Sequence, residues 1–343
     1  MAGKRNKAAF NRPEIVLTLA LALAKHGKAA AVREMLEESV ADHPSQLLYE
    51  RLARYVLAAS VPNYHDAMLA DHARNSAYRQ AIEAAVQGKN VLDIGTGSGL
   101  LAMIAARAGA KRVVACEMNK TMAETAKRII AANGLTDRIE VHACHSSDLD
   151  RGTVCPEGFD VVVSEIFSAN VLGEGVLQSL EHVREKLCAE GARFIPESAE
   201  IRVALAHFAQ TTVALDDVEG FDLGLFADHL LPAKPLTNGD PGLTLMSDVG
   251  TLVRFDFGDT QSLATTGLSQ VDVHANQGAN RGEANGIAQW LMIDFGDGSG
   301  ATYENAPGRD EGAHWSIVGY PFAKPCPIAQ GEAVPILGFY HDD

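Results

Sequence analysis

Cysteine is scarce in this chain, and the scarcity excludes two kinds of scaffold. Cys116, Cys144, Cys155, Cys188 and Cys326 are the five present among 343 residues, and no pair has Cys-x-x-Cys spacing. An odd count without paired spacing fits neither a zinc framework nor a disulfide-stapled fold. Reduced core thiols in a cytoplasmic protein are the expectation. Basic residues are also few: 29 Lys and Arg stand against 44 Asp and Glu, a formal charge of −15. A protein held on nucleic acid by phosphate contacts needs a basic face, so direct nucleic-acid binding is not expected. A cationic partner is permitted. No apolar run reaches the roughly 20 residues of a membrane-spanning helix, so no membrane partner is expected. The nearest approach, "IVLTLALALAK", follows "KRNK" and ends at a cleavage-like Ala22-Leu23-Ala24. Arg12, Pro13 and Glu14 interrupt that signal-like pattern, and the helical period continues past it, which argues for a helix and against export.

What is present is enough apolar residue, 47% of the chain, to bury a full core. Residues 1–60 read as a helical segment. Leu19, Ala20, Leu23, Gly27, Val32, Leu36, Ser39 and Pro44 fall where a tetratricopeptide unit places its large, small and breaker residues. An ordinary helical hairpin is the alternative. Residues 61–196 alternate between strand-like and helix-like segments, from "AYRQAIEAAV" and "NVLDIG" to "GVLQSLEHVREKL" and "ARFIP". That alternation implies an α/β domain with a parallel sheet covered on both faces. Residues 197–343 change character. Short segments such as "EIRVALAHF", "TLVRFDF", "QWLMIDF" and "HWSIVGYPF" are separated by Gly- and Asp-rich loops, the pattern of an antiparallel sandwich or barrel. An irregular stretch at 216–240 is a candidate protruding arm, and Trp290 is expected in the barrel core.

A ligand loop stands out at "VLDIGTGSG", where Gly95, Gly97 and Gly99 lie between a strand and a helix. Glycines there let the backbone turn sharply and approach a ligand closely. Asp93 precedes the loop inside the strand end. Glu117 ends the next strand in "VVACEMN", where an acid accepts hydrogen bonds from both hydroxyls of a ribose. A nicotinamide dinucleotide more often shows Gly-x-Gly-x-x-Gly. The pattern here resembles the first motif of S-adenosylmethionine-dependent methyltransferases, which makes S-adenosyl-L-methionine the expected cofactor.

The stretch "VSEIFSANVLGEGVL", Val163–Leu177, ends the fourth strand and carries Glu165 and Glu174, nine residues apart. Two carboxylates in one cleft match the donor fork of a guanidinium. At this point the chain resembles the protein arginine N-methyltransferases, whose double-glutamate loop has that spacing. The resemblance covers residues 62–343 and includes "HDAMLADHARNSAYRQAI", "RFIPESAEIRVAL" and "GAHWSIVGYPF". It implies a Rossmann-like domain followed by a β-barrel, and methyl transfer to an arginine-containing protein or peptide. Glu165 and Glu174 would clamp the acceptor. Arg74 would grip the donor's carboxylate, with Met68 near the methyl group. His145 and Ser146 would lie by the adenine ring, where many members have an acid in place of Ser146. His314 and Trp315 match a Thr-His-Trp loop with Ala313 in place of Thr; in the family that His pairs with an Asp at the position of Asp71. His65, His207 and His274 read as packing or surface residues.

"GEGVLQSLEH", "NKTMAETAKRIIAAN" and the terminal "YHDD" point towards the subgroup numbered seven and nine. Those relatives have tandem modules, and a single module implies a homodimer, with the arm at 216–240 as its contact. Val176 stands where asymmetric dimethylators carry a second Met, which favours a monomethyl or symmetric dimethyl product. The aromatic motif that usually precedes the Met68 helix is absent. Two alternatives follow from the residues: a binding or scaffold protein on a methyltransferase fold, and a methyltransferase for a small guanidine or amine.

Overall fold

The structure is a computed structural model. It describes residues 13–26, 64–173, 175–209, 217–229, 233–259, 264–276, 282–296, 301–309 and 313–341, together with Val32, Arg51, Arg54, Tyr55 and Ala58. Two compact units form. One comprises residues 1–66, 85–165 and 187–191, the other 67–84, 166–186 and 192–343. The N-terminal helix α1 spans Pro13–Lys25. Half of the tetratricopeptide-like pattern, Gly27, Leu36, Ser39 and Pro44, lies outside the described residues.

The first unit is built on parallel strands. β1 (Asn90–Ile94), β2 (Arg112–Cys116), β3 (Ile139–His142), β4 (Phe159–Ser164) and β5 (Cys188–Ile195) form a sheet in the order β3-β2-β1-β4-β5. Val91, Leu92, Val113, Val114, Ala115 and Val161–Val163 are at most 2% exposed. That is why these strands read as continuous apolar runs: a parallel sheet is covered on both faces. The covering helices include α4 (Leu100–Arg107), α5 (Lys120–Ala132) and the single turn α6 (Arg151–Val154). α4 buries Leu101 together with Ala102, Ala105 and Ala106, and the three small alanines allow close approach to the sheet. Asn119 caps α5 by accepting hydrogen bonds from the Thr121 and Met122 N–H groups.

The "HDAMLADHARNSAYRQAI" segment is two helices. α2 (His65–Ala70) stops, and α3 (His72–Ala85) starts, at Asp71. The Asp71 side chain accepts the Arg74 N–H at 2.9 Å, the bond of a helix N-cap, and so breaks the run.

The second unit is antiparallel. β6 (Ser198–Phe208), β7 (Lys234–Leu236), β8 (Leu243–Leu245), β9 (Gly250–Asp256), β11 (Glu283–Asp294), β12 (Thr302–Glu304) and β13 (Ile317–Pro327) form one sheet, with β7-β13-β11-β6-β8 as its main path. β10 (Thr266–His274) pairs with β14 (Ala333–His341). α7 (Val176–Lys186) belongs to the same unit. The core gathers Phe208, Trp290 and Ile317 around Ala204, Ala206 and Ala288. Trp290 is 1% exposed, as its strand pattern suggests, and its Nε1–H donates to Glu304. α3 meets the barrel strands through Tyr78, whose ring lies edge-on to Phe295 at 4.9 Å. The segment "HWSIVGYPF" is strand only from Ile317 on; His314 and Trp315 stand in the loop before β13.

The β6–β11 ladder ends at Gly286, opposite Ala206, where the neighbouring β11–β13 pairing shifts register between Ala284 and Gly286. There the Asn285 side chain takes over: it accepts the Phe208 N–H at 2.7 Å and donates to the Phe208 carbonyl at 2.9 Å. Asn285→Ala would leave two buried backbone groups unpaired, at about 1–3 kcal/mol each. The expected outcome in urea is a lower midpoint with an unchanged slope, corresponding to a loss of about 2–6 kcal/mol.

Candidate active site

In the first unit, strand register decides what stands at the carboxyl edge of the sheet. Ile94 of β1 pairs with Cys116 of β2 on one side and with Ser164 of β4 on the other. The next residues are therefore Gly95, flanked by Glu117 and Glu165. This is where the strand order reverses, the position at which open α/β sheets bind ligands. Gly95 and Thr96 both donate their N–H to the Cys116 carbonyl at 3.0 Å, which folds the loop back over β2. Gly97 and Gly99 have φ of 52° and 83°, so the loop needs residues without a Cβ.

Asp93 is 1% exposed. Its Oδ2 accepts the Thr96 hydroxyl at 2.6 Å and the Ala102 N–H at 3.1 Å. It ties the loop to the start of α4. Glu117 accepts the Gly97 N–H at 3.1 Å and the Asn119 N–H at 2.8 Å, one on each oxygen. A carboxylate has about four acceptor sites, so this pins Glu117 and leaves capacity on both oxygens.

His65, read from the sequence as a packing or surface residue, stands beside the glycine loop. Its Cε1 is 3.5 Å from where a Cβ on Gly97 would sit, and Tyr64 lies against its ring at 4.7 Å. Burial lowers its pKa, and the carboxylates of Glu117 and Glu165 oppose that shift. A single histidine has no period and no motif of its own. Its place three residues before Met68 is the signal that could have found it.

Past β3, His145 caps a short 3₁₀ turn, Ser146–Asp148, and its Nδ1 is engaged with Ser147 at 2.8 Å. Ser146 is 2% exposed, and its hydroxyl finds no hydrogen-bond partner among the described residues. A buried hydroxyl of this kind is a polar group ready for a ligand. Together with the glycine loop it fits a nucleoside cofactor. The thiols nearby are inert. Burial pushes Cys116 up to about 12 and also raises Cys144. All five cysteines are free, although Cys326 is exposed and not in a core as expected. No cluster of His, Cys, Asp or Glu that could hold a metal occurs among the described residues.

In the second unit the organising group is Asp71, 3% exposed. Oδ1 holds the Arg74 N–H, as described. Oδ2 accepts the Tyr303 hydroxyl at 2.5 Å and both the backbone N–H and Nδ1 of His314 at 3.3 Å. A carboxylate only accepts, so His314 carries its proton on Nδ1 and presents Nε2 as the basic nitrogen. Burial, the largest influence on Asp71, works to raise its pKa. The hydrogen bonds from His314, Tyr303 and the Arg74 N–H together win and hold it below the ordinary value. Arg74 is 2% exposed, with its guanidinium over the Tyr78 ring at 4.9 Å and Nη1 on Asn75 at 2.6 Å. Met68 is buried in α2.

The loop that follows Glu165 is held at several points. Trp315 Nε1 donates to the Phe167 carbonyl at 2.9 Å, and Gln289 donates to Asn170 at 2.7 Å. Ser168 accepts the Asn170 N–H at 3.1 Å and donates to the Leu172 carbonyl. Val171, fully buried, has φ of 65°, a left-handed conformation that a β-branched residue adopts only under constraint. Glu174 lies outside the described residues.

Comparison with known proteins gives consistent results. The family model described as ribosomal protein L11 methyltransferase (PrmA) matches residues 71–196. An "Arginine N(omega)-methyltransferase" of Streptomyces achromogenes subsp. streptozoticus is 36% identical over 282 residues, covering 81% of this chain and 76% of that protein. The protein arginine N-methyltransferase 7 of Xenopus laevis is 32% identical over 314 residues, 80% of this chain but only 44% of that protein. The chain thus spans less than half the length of the Xenopus relative. Among solved structures, the Trypanosoma brucei PRMT1 enzyme–prozyme heterotetrameric complex with AdoHcy has the same fold. Its TM-score is 0.73 at 23% identity, over 82% of this chain and 88% of that one.

The depressed pKa of Asp71 makes its contribution to stability depend on pH. The stabilisation is complete above the ordinary carboxylate value of 3.8 and is lost as pH falls through the lower folded value. Asp71→Asn should therefore show a shallower loss of unfolding free energy than wild type below about pH 4. Denaturant melts between about pH 2 and 6 compare the slopes; parallel slopes would mean that the carboxylate contributes nothing there.

Proposed function

The chain belongs to the protein arginine N-methyltransferase family, and we propose that it transfers methyl from S-adenosyl-L-methionine to a guanidinium held by Glu165 and Glu174. The observation that carries this reading is the placement of Glu165 directly after β4, next to a glycine loop that Glu117 flanks on its other side. The role of Glu174 rests on its spacing. Gly95, Gly97 and Gly99 offer the donor a close backbone approach, and Asp93 braces their loop. Glu117 has acceptor capacity for ribose hydroxyls. Ser146, with His145 capping its turn, faces the adenine, and His65 joins this set. The family resemblance assigns the donor's carboxylate to Arg74 and the neighbourhood of the methyl group to Met68. The bound donor supplies an electrophilic methyl group on a sulfonium.

The chain's own residues supply position and charge. A guanidinium presents five N–H donors in a rigid plane, and two carboxylates hold that plane by parallel bonds. The paired charges draw positive character to the clamped nitrogens and leave electron density on the nitrogen that attacks. The reaction is an in-line displacement, so fixed geometry provides much of the acceleration. Guanidinium stays protonated at neutral pH, so its proton leaves during or after transfer. The Asp71–His314 pair orders the site, and its imidazole is the group we assign to that proton. Trp315 anchors the acceptor loop.

We assign the acceptor as arginine in a protein or peptide, with monomethyl or symmetric dimethyl product. A second reading is a small guanidine, favoured by the Streptomyces relative, whose name specifies arginine without specifying a protein and of which this chain covers 76%. A homodimer is the proposed assembly. The arm exposes Phe221 at 69%, Leu225 at 88% and Phe226 at 57%, an apolar surface that a second copy would cover. A cytoplasmic setting agrees with the free cysteines, and the charge of −15 disfavours nucleic acid as partner.

The central test is labelled methyl transfer from S-adenosylmethionine to arginine-rich peptides, the same peptides with lysine, and free L-arginine. Arginine-dependent labelling that drops by roughly 100-fold or more in Glu165→Gln is the expected result. Labelling of free arginine alone would select the small-guanidine reading, and lysine labelling would end both. For the assembly, Leu225→Glu should convert a dimer to a monomer in sedimentation velocity. A dimer untouched by that change would place the contact elsewhere.

A further inference from the structure

Tyr303 belongs to no motif, yet it reaches the most connected carboxylate of the second unit. It sits in the middle of the short strand β12, 3% exposed, opposite Ile293 of β11. Its ring packs at 5.6 Å from the Trp315 ring, and the Arg309 guanidinium lies over it at 5.4 Å. Its hydroxyl donates to Asp71 Oδ2 at 2.5 Å. Two residues on, buried Asn305 donates to the carbonyls of Trp315 and Ser316 at 3.0 and 3.3 Å and accepts the Leu291 N–H at 2.8 Å. One segment therefore fixes both the loop that carries His314 and the carboxylate that His314 addresses.

The structure assigns Tyr303 as the positioning residue of the Asp71–His314 pair: its hydroxyl pins the carboxylate oxygen that receives the His314 Nδ1 proton. Asp71 can turn about its side-chain bonds. The Arg74 N–H holds Oδ1, and without Tyr303 only His314 itself would hold Oδ2. A pinned Oδ2 fixes the imidazole's tautomer and orientation. The phenol serves as a lasting donor because burial, and then the charge of Asp71, keep it protonated far above neutral pH. The groups facing the Asp71 carboxylate are the Arg74 N–H, Tyr303 and His314, with Arg309 stacked on Tyr303. Removing the Tyr303 hydroxyl takes away one of the bonds that hold the Asp71 pKa down, so Asp71 should protonate at higher pH and release His314 sooner.

This inference rests on the arginine-methyltransferase reading for its kinetic arm only. Tyr303→Phe keeps the ring against Trp315 and removes one oxygen. The expected kinetic result is a kcat lowered about tenfold with KM for the donor nearly unchanged, and an acid limb of the pH–rate profile moved to higher pH. In a cycle with Asp71→Asn, the second substitution should add little, because both act through one bond. Independently of turnover, the Nδ1 proton of His314 in histidine-labelled full-length protein, identified by its loss in His314→Gln, should shift in Tyr303→Phe. An unmoved acid limb, an unmoved Nδ1 resonance, or additive effects in the cycle would each overturn the assignment. If Tyr303→Phe does not fold, fluorotyrosine at 303 replaces it. A more acidic phenol should move the same resonance in the opposite sense, and no movement overturns the proposal. A wild type without methyl transfer would defeat the proposed function, while the resonance would still decide the role of Tyr303.

Discussion

The first unit depends on one constraint: β1 lies hydrogen-bonded between β2 and β4, all three parallel and in aligned register. Ile94, Cys116 and Ser164 are level, so the chain leaves the sheet at Gly95, Glu117 and Glu165 together. Buried strands cannot carry unpaired charge, since desolvation of a carboxylate costs too much. Glu117 and Glu165 stand at the first positions beyond the strands, while Asp93, inside β1, is held by the Thr96 hydroxyl and the Ala102 N–H. The glycines follow from the same constraint. A loop that must turn back over β2 and still start α4 needs left-handed backbone at Gly97 and Gly99. A strand edge that reverses its order thus gathers two acids and a ligand loop without any long-range device.

Asp71 organises the second unit by a different route. Its carboxylate is buried without a lysine or arginine ion pair among its described bonds. Hydrogen bonds alone hold it charged, and their sum exceeds the effect of burial. One oxygen caps α3, and the other faces β12 and the loop before β13. A single side chain therefore couples a helix start to the position of an imidazole. The arrangement is sensitive, because a buried acceptor that loses a donor has no water to replace it.

Much of this was legible in the sequence where the physics is periodic or local. Runs of Val and Ile announce buried parallel strands, and Glu165 was conspicuous because an acid rarely ends such a run. The glycine loop was legible because its backbone demands glycine. Asp71 and His314 came from resemblance, and the structure brings them within 3.3 Å. The residues that escaped act across sequence. Tyr303 reaches Asp71 over 232 positions, and Asn285 reaches Phe208 over 77. β12 is three residues long amid Gly- and Asp-rich segments, too short for alternation to register. The break between α2 and α3 was hidden because Asp71 follows the same helical period as its neighbours. Only its capping bond shows that it interrupts the run.

The loop after Glu165 explains why two acids at a fixed spacing need more than spacing. A guanidinium is recognised as a plane, so its acceptors must be held in a plane before it arrives. A mobile loop would spend binding energy on its own ordering. Here the first half of the loop is fixed from within by Ser168 and from outside by Trp315 and Gln289. That bracing also maintains Val171 in a conformation worth of order 1–3 kcal/mol of strain. Strain of that kind persists only where the surroundings over-determine the backbone, and Val171 is fully buried among them. Small residues at Ser168, Gly173 and Gly175 let the chain turn within a short span, and the buried aromatic pair Phe167–Phe257, stacked at 5.1 Å, fixes its root. Rigidity at the root and turns at the tip thus give the described part of this loop a defined course.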